Sequence, residues 1–541
     1  MIYTSPYPDL YIPEQDVPSF IFGSKGFQSN PNKPALIDGP TGKVITFRDL
    51  EKSSASFAAG LHHQLGFKKR DVVALYTPND INYSTVMYGT LMAGGSVSGI
   101  NPAYTVDELA YQLHDSGASV LIVGHEQIAN AKAAAKVVGL PLNRIFVFAS
   151  KSINGIHSFT SLLSSKLGPV VKFTKNELAN EAAYLCYSSG TTGRSKGVIT
   201  THRNMVANVL QTNVFEVNDR LPDEIWMGIL PFFHIYGLNI SLHQAAFGGN
   251  TMVVVPKFDF VQFLEFIQRY QITVLHVVPP IVLAMAKHPI VDKFDLSSVR
   301  RATSGAAPLG SELAQAFSKR LKIPAVQGYG LTETTPVTHM CPSSRIVDGS
   351  IGFLVPNMQA RLIDPDTGKD AMTNQPGELW LRGPNVMKGY INNPSATKDS
   401  IDQEGYFHTG DVAVVGPTGH FFIVDRLKEL IKYKGFQVPP AELEAKLITH
   451  PSIADAAVIS LADKEAGELP LAYVVLQPGK KLTEKEVQEF IAGQVAYYKQ
   501  LRGGVVFVDA IPKAASGKIL RRILRAMDKE RVSKKIPDPK L

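Results

Sequence analysis

Residues 184–198 read YLCYSSGTTGRSKGV, an apolar run that gives way at once to hydroxyls and glycines. Tyr184 to Tyr187 predicts a strand. Ser188, Ser189, Gly190, Thr191, Thr192 and Gly193, continuing through Lys196 to Gly197, predict a loop. Hydroxyls and glycines at this density suit a loop that folds over phosphate oxygens, with backbone N–H groups as donors. It is not a Walker A motif, because Ser195 stands where that motif needs glycine before its lysine. A Gly/Ser/Thr run by itself is more often a plain loop than a phosphate cradle. The signals on either side decide.

Working outward, short β-branched runs alternate with helical stretches, which implies α/β layering. Asp71 to Tyr76 predicts a buried strand, Tyr83 to Gly94 a helix, and Ser98 to Ile100 and Ser119 to Val123 further strands. The pattern returns with strands at Thr251 to Val255 and Ile272 to Val278, around a helix at Phe260 to Tyr270. From about Gly352 the texture shifts to shorter strands with Gly and Pro turns: Gln359 to Ile363, Gly377 to Arg382 and Phe421 to Val424. A last α/β segment has helices at Pro440 to Thr449 and Glu484 to Tyr498 and strands at Ile453 to Ser460 and Leu471 to Leu476. The expected domains are therefore 1–425 and 429–541, joined at Arg426-Leu427-Lys428.

At 541 residues the chain is too long for one compact core. A formal charge of +7 favours anionic partners. Much of the local excess lies in the tail, from Lys513 through Arg521, Arg522 and Arg525 to Lys535. With no zinc-finger spacing and no interleaving of Arg with aromatics there, a nucleic-acid partner is not expected. Cys186 and Cys341 are the only cysteines, which excludes a disulfide framework. The first residues lack a basic region followed by an apolar core, and the most apolar stretch, Thr273 to Ala286, is too short to span a bilayer. A soluble, intracellular protein without a transmembrane segment is expected. The chain ends Pro539-Lys540-Leu541, similar to the C-terminal peroxisomal address, although proline departs from its usual small residue. That ending implies a peroxisomal import receptor as partner; otherwise the expected location is cytoplasmic.

After the loop, in order, come PFFHIYGL (231–238), SGAAPLG (304–310), QGYGLTE (327–333), GELWLRG (377–383), GYFHTGD (405–411), DRLKELIKYKGFQVPPAELE (425–444) and PKAASGKILRR (512–522). This ordered set, with SSGTTGRSKGV, resembles the adenylate-forming superfamily of acyl-CoA synthetases, luciferases and peptide-synthetase adenylation domains. The likeness is strongest to the 4-coumarate–CoA ligase branch and spans nearly the whole chain. It implies a large N-terminal α/β domain, with two layered α/β subdomains and a small β subdomain, and a smaller mobile C-terminal α+β domain. It also implies an enzyme using ATP, Mg²⁺ and coenzyme A on a small-molecule carboxylic acid.

The strings make chemical sense one by one. Gly328, Gly330 and the Gly305-Ala306-Ala307 turn are small enough for backbone to approach a planar ring, against which Tyr329 would stack. The resemblance assigns these turns, with Gln327, to adenine and the acyl-pocket wall. It gives Thr332 to the α-phosphate and Glu333 to Mg²⁺, a hard cation that shares carboxylate and phosphate oxygens. Asp411 matches a carboxylate that accepts from a ribose, and Arg426 an arginine that reaches the same nucleotide. Lys518, on composition alone one more surface cation of a basic tail, matches the lysine that bridges the acid and the α-phosphate. A fixed ammonium there stabilises charge gathered in the transition state. By the same resemblance His234 gates or positions the acyl carboxylate, and Lys434 and Gln437 serve the thioester-forming step.

Adenylation needs Lys518 against the phosphate, whereas thiol attack needs that space opened. The resemblance implies that the C-terminal domain rotates between the two. Pocket positions carried over are Tyr236, Ile240, Thr303, Ala306, Gly328, Gly330 and Val337. Ile240 stands where plant coumarate ligases often carry a hydroxyl, and Thr303 where they often carry methionine; loss of a polar partner near the ring end predicts an apolar aryl or cinnamic acid, with medium-chain fatty acids as the alternative. A luciferase-like oxygenase and a non-catalytic adenylate-binding protein are the rival classes. A binder would be expected to have lost Lys518, Asp411 or Glu333, and all three are present.

Overall fold

The computed structural model describes residues 1–166, 168–169, 171–188, 194–219, 223–514 and 517–535. The strand Val72–Tyr76 is apolar at every position and buried at every position. A strand covered on both faces has no need of alternation, and this one sits inside a largely parallel sheet. Its neighbours are Ser96–Ile100 and Ala118–Val123, both parallel to it. The helix Tyr83–Met92 packs against this layer and is buried almost all round, which explains its lack of a polar face. The strand Ala182–Ser188 continues the same sheet and pairs antiparallel with Lys196–Thr201, so Ser188, Lys196 and Gly197, expected in a loop, lie on strands.

A second, nine-stranded sheet contains the parallel set Ile225–Gly228, Val274–Val277, Arg301–Ser304 and Ala325–Gly330. The turns that follow the last two of these strands carry Gly305-Ala306 and Leu331-Thr332-Glu333. Carboxyl ends of parallel strands are where open α/β sheets hold ligands. Gly330 is fixed by close approach: a Cβ there would lie 1.8 Å from the Pro336 carbonyl oxygen. A third, five-stranded sheet follows the order Tyr3–Thr4, Gln359–Ile363, Gly377–Arg382, Phe407–Val415, Phe421–Arg426. A fourth holds Phe436–Val438, Ile431–Tyr433, Gly467–Leu476, Ile453–Asp463 and Gly504–Phe507, under helices Pro440–Thr449 and Glu484–Ala492. The protein is thus mixed α/β, with a large N-terminal part and a smaller C-terminal one that has its own core around Ile431, Leu443, Val458 and Val487.

Several expected elements appear with the expected bounds, among them Phe260–Tyr270, Gln359–Ile363, Gly377–Arg382 and Pro440–Thr449. The helix expected over 484–498 ends at Ala492, where Gly493 caps it and the chain turns into a short 3₁₀ segment at Tyr497–Lys499. Tyr3–Thr4, too short to carry a pattern, pairs with Gln359 and Ala360 and ties the chain's start to the third sheet.

Candidate active site

A cavity of about 550 Å³ opens between the second sheet, the facing ends of Ala182–Ser188 and Lys196–Thr201, the third sheet and the C-terminal part. Every expected pocket position lines it: Tyr236, Ile240, Thr303, Ala306, Gly328, Gly330 and Val337. So do Ser188, Lys196, His234, Gly305, Tyr329, Thr332, Glu333, Arg426 and Lys518. A Cβ on Gly328 would meet nothing closer than 3.7 Å, so its smallness adds room to the cavity and answers to no backbone constraint.

Lys518 arrives from the far end of the chain on a tight turn. The amide of Ala514 donates to the Lys518 carbonyl at 2.8 Å and that of Gly517 to the Ala514 carbonyl at 2.8 Å. Gly517 has φ +81, and a Cβ there would lie 3.3 Å from Val278 and Pro280 of the larger part. The ammonium, half-buried, is drawn down to about 8 by loss of water and then by the Arg426 guanidinium, against the pull of Asp411, Glu333 and Glu429. A cation desolvated among carboxylates and open to a cavity suits a developing phosphate charge. Lys518 in turn disfavours protonation of His234, whose imidazole is drawn to about 4 chiefly by its enclosure. The Tyr236 amide donates to His234 Nδ1 at 3.2 Å, which leaves Nε2 as the protonated nitrogen.

Asp411 stands just behind the lining. Its two oxygens accept from the Tyr329 hydroxyl at 2.6 Å and face Arg426 Nε at 3.2 Å. The register explains the meeting, because Asp411 and Arg426 are cross-strand partners in the third sheet. An ionised carboxylate has about four acceptor sites, so both contacts leave capacity for a diol. Glu333 is nearly buried, and its Oε1 accepts from the Tyr390 hydroxyl at 2.9 Å. The Tyr390 ring also holds Lys196 Nζ 4.8 Å from its centroid. Tyr390 thereby joins Lys196 to the carboxylate expected to hold a metal, a contact that no motif in the sequence marks. Sequence reasoning also passed over Glu216 and His276, which line the cavity too.

Not every expected residue reaches the cavity. Gln327, assigned to adenine, uses its amide on the next turn: it accepts from the Leu309 amide at 2.9 Å and donates to the Leu309 carbonyl at 3.1 Å. Gln327 braces the turn that carries Gly305 and Ala306, and Ala307 in that same turn stands outside the lining. Lys434 and Gln437 sit on the exposed hairpin Ile431–Val438, where Lys434 has φ +47, and do not reach this cavity. Ser189, Gly190, Thr191, Thr192 and Gly193 lie outside the described residues, as does Pro539-Lys540-Leu541. No helix among the described residues is long and apolar enough to cross a membrane.

Residues 25–391 match the family model described as AMP-binding enzyme, and residues 442–518 that of the AMP-binding enzyme C-terminal domain. The chain is 42% identical over 540 residues to a probable 4-coumarate–CoA ligase of Dictyostelium discoideum, covering 97% of both chains. Among solved structures, the anthranilate CoA ligase AuaEII in complex with anthranoyl-AMP superposes with a TM-score of 0.88 at 25% identity, over 97% of this chain and 99% of that one. ATP-bound MatB from Rhodopseudomonas palustris gives 0.85 at 28% identity, over 95% of this chain and 99% of that one. Its apo form, with the same identity and coverage, gives 0.75. With a family match across most of its length and a 42% identity that runs nearly end to end, the chain belongs to the AMP-binding, adenylate-forming enzymes, on their acyl-CoA ligase branch.

Proposed function

We propose that this enzyme activates a carboxylic acid with ATP, releasing pyrophosphate, and passes the acyl group from acyl-AMP to the thiol of coenzyme A, releasing AMP. The observation that carries the reading is Lys518, a C-terminal cation held within electrostatic reach of Glu333, Asp411, Arg426 and His234. In the first step a carboxylate oxygen of the acid attacks the α-phosphorus and the bond to pyrophosphate breaks. Lys518 bridges the two anions as they meet. Asp411 and Arg426 hold the ribose, Tyr329 stacks on adenine, Thr332 reaches the α-phosphate, and the Ser188 to Gly193 segment with Lys196 serves the remaining phosphates. Neutral His234 orients the acyl carboxylate at the pocket mouth.

Glu333 suits Mg²⁺: one nearly buried carboxylate facing the cavity matches a cation that takes few protein ligands and several phosphate oxygens. When bound, the ion would neutralise charge on the leaving pyrophosphate. The better fit to ATP-bound than to apo MatB supports assigning the present arrangement to adenylation. For the second step the 429–541 domain turns about Arg426-Leu427-Lys428 relative to 1–425. Lys518 withdraws, and the Lys434–Gln437 face comes to the acyl-AMP for thiol attack on its carbonyl carbon.

The acid is of aryl or cinnamic type, in keeping with the named function of the Dictyostelium relative. Pro539-Lys540-Leu541 acts as a peroxisomal address, so an N-terminally tagged chain should be punctate and should disperse on deletion of Leu541. The deciding experiment measures pyrophosphate and AMP across cinnamic, phenylacetic and six- to twelve-carbon fatty acids, with and without coenzyme A. Acyl-CoA and AMP in equal amounts with aryl acids are expected, and best turnover of a fatty acid would transfer the substrate assignment. Absence of pyrophosphate release with every acid would overturn the reading and leave a binder.

A further inference from the structure

One helix of the larger part, Pro279–Lys287, meets the C-terminal part at both of its ends. At its start, Val278 and Pro280 lie against the Gly517 turn that carries Lys518. At its finish, Lys287 Nζ donates to the Ile448 carbonyl at 2.5 Å. That carbonyl belongs to the last turn of Pro440–Thr449, where backbone acceptors lack partners within the helix and a cation is favoured. A third contact stands beside this line. Lys446 Nζ lies 3.0 Å from Glu312 Oε1, and Ser311 Oγ donates to Glu312 Oε2 at 3.0 Å. Glu312 stands in the first turn of Ser311–Leu321 and Lys446 in the last turn of Pro440–Thr449, the ends at which helix dipoles favour a carboxylate and an ammonium. Next to the pair, a Cβ on Gly310 would come 3.3 Å from the Ala445 side chain, so the two helices meet with almost no gap.

Two contacts about 10 Å apart along one helix fix where a body lies, and a third beside them stops it from rolling about that line. The precision matters, because a reacting group misplaced by about 1 Å can lose about 10²-fold in rate. Glu312, Lys446 and Lys287 all stand outside the cavity lining. They act on Lys518 through the body that carries it.

We propose that Glu312, Lys446 and Lys287 are positioning residues for adenylation: they seat the C-terminal part with Lys518 in the cavity and set the share of enzyme that stands in that pose. This rests on the ligase reading above. The seat is selective between the two steps, since thioester formation needs Lys518 withdrawn and therefore all three contacts released. A half-exposed ion pair shifts an equilibrium by only about 2–5-fold, so the seat biases the pose without locking it.

The test uses the full chain and the acid of the panel above that wild type turns over fastest. Two assays run side by side: ATP–pyrophosphate exchange, and thioester formation from the supplied acyl-adenylate and coenzyme A. Glu312→Lys should lower kcat/KM for exchange by about 4–25-fold, one attraction lost and a like repulsion gained, with thioester formation kept or raised. Adding Lys446→Glu to it should restore a good part of the exchange. Lys287→Met should lower exchange by about 2–5-fold, again sparing the thioester step. Glu312→Gln, Lys446→Gln and their double variant serve if a reversed charge prevents folding, and the double should be no slower than the slower single. Unchanged exchange in Glu312→Lys overturns the proposal, as does an equal fall in both assays. So does a swapped pair no faster than Glu312→Lys, or neutral variants whose losses multiply. Wild type without exchange on any acid is a different failure, because it removes the ligase reading and this proposal with it.

Discussion

Lys518 illustrates how one side chain's surroundings set a measurable pH limit. Its ammonium loses its proton at about 8 in the free enzyme, well below the ordinary lysine range. Adenylation needs the charged form, so kcat/KM for ATP–pyrophosphate exchange should fall as pH rises through about 8. Bound phosphates favour the cation, so the fall in kcat should come at higher pH. Lys518→Arg should lose this limb, because a guanidinium stays charged. His234, neutral above about 4, should contribute no titration between pH 5 and 7. Tyr390→Phe keeps the ring over Lys196 but removes the bond to Glu333. A roughly 3–10-fold loss in kcat/KM for ATP is expected, the size of one hydrogen bond. The sequence announced Lys518, Asp411 and Glu333 because each stands in a short ordered string. Tyr390 and His276 were silent, since their places at the cavity arise from which strands lie side by side. Gln327 stands in such a string too, yet its side-chain amide faces the Leu309 turn.

At the scale of the element, two glycines two residues apart on one strand should behave differently. Gly330 sits where the strand folds back on Pro336, and any side chain there collides with backbone. Gly330→Ala should destabilise the protein by about 3 kcal/mol or more, visible as a lowered Tm and lost activity together. Gly328→Ala meets only ordinary contacts. It should leave Tm nearly unchanged and shift preference toward slimmer acids, read as kcat/KM across the acid panel. The sequence exposed both as glycines without separating them, because crowding by the partner strand is a tertiary fact. Element bounds were most legible where apolar periodicity and a stop signal coincide, as at Phe260–Tyr270, and least where a late glycine, Gly493, cut a pattern that still read as helical.

For the whole molecule the decisive matter in the proposed reading is that the two steps of the reaction would use different faces of one C-terminal unit. Lys518→Ala should slow ATP–pyrophosphate exchange by about 10²–10³ yet still convert a supplied acyl-adenylate to thioester, whereas Lys434→Ala should do the reverse. Equal loss of both activities in either variant would count against the division of labour. The sequence showed both faces as motifs, but only the structure seats one of them inside the cavity and leaves the other on the surface. The turn at Gly517, lodged against Val278 and Pro280, carries a kinetic corollary. ATP and coenzyme A would each recruit a pose that the other cannot use, so they would antagonise one another without touching a common residue. Rising thiol concentration should then increase the apparent KM for the nucleotide, a competition enacted by the cap's position alone.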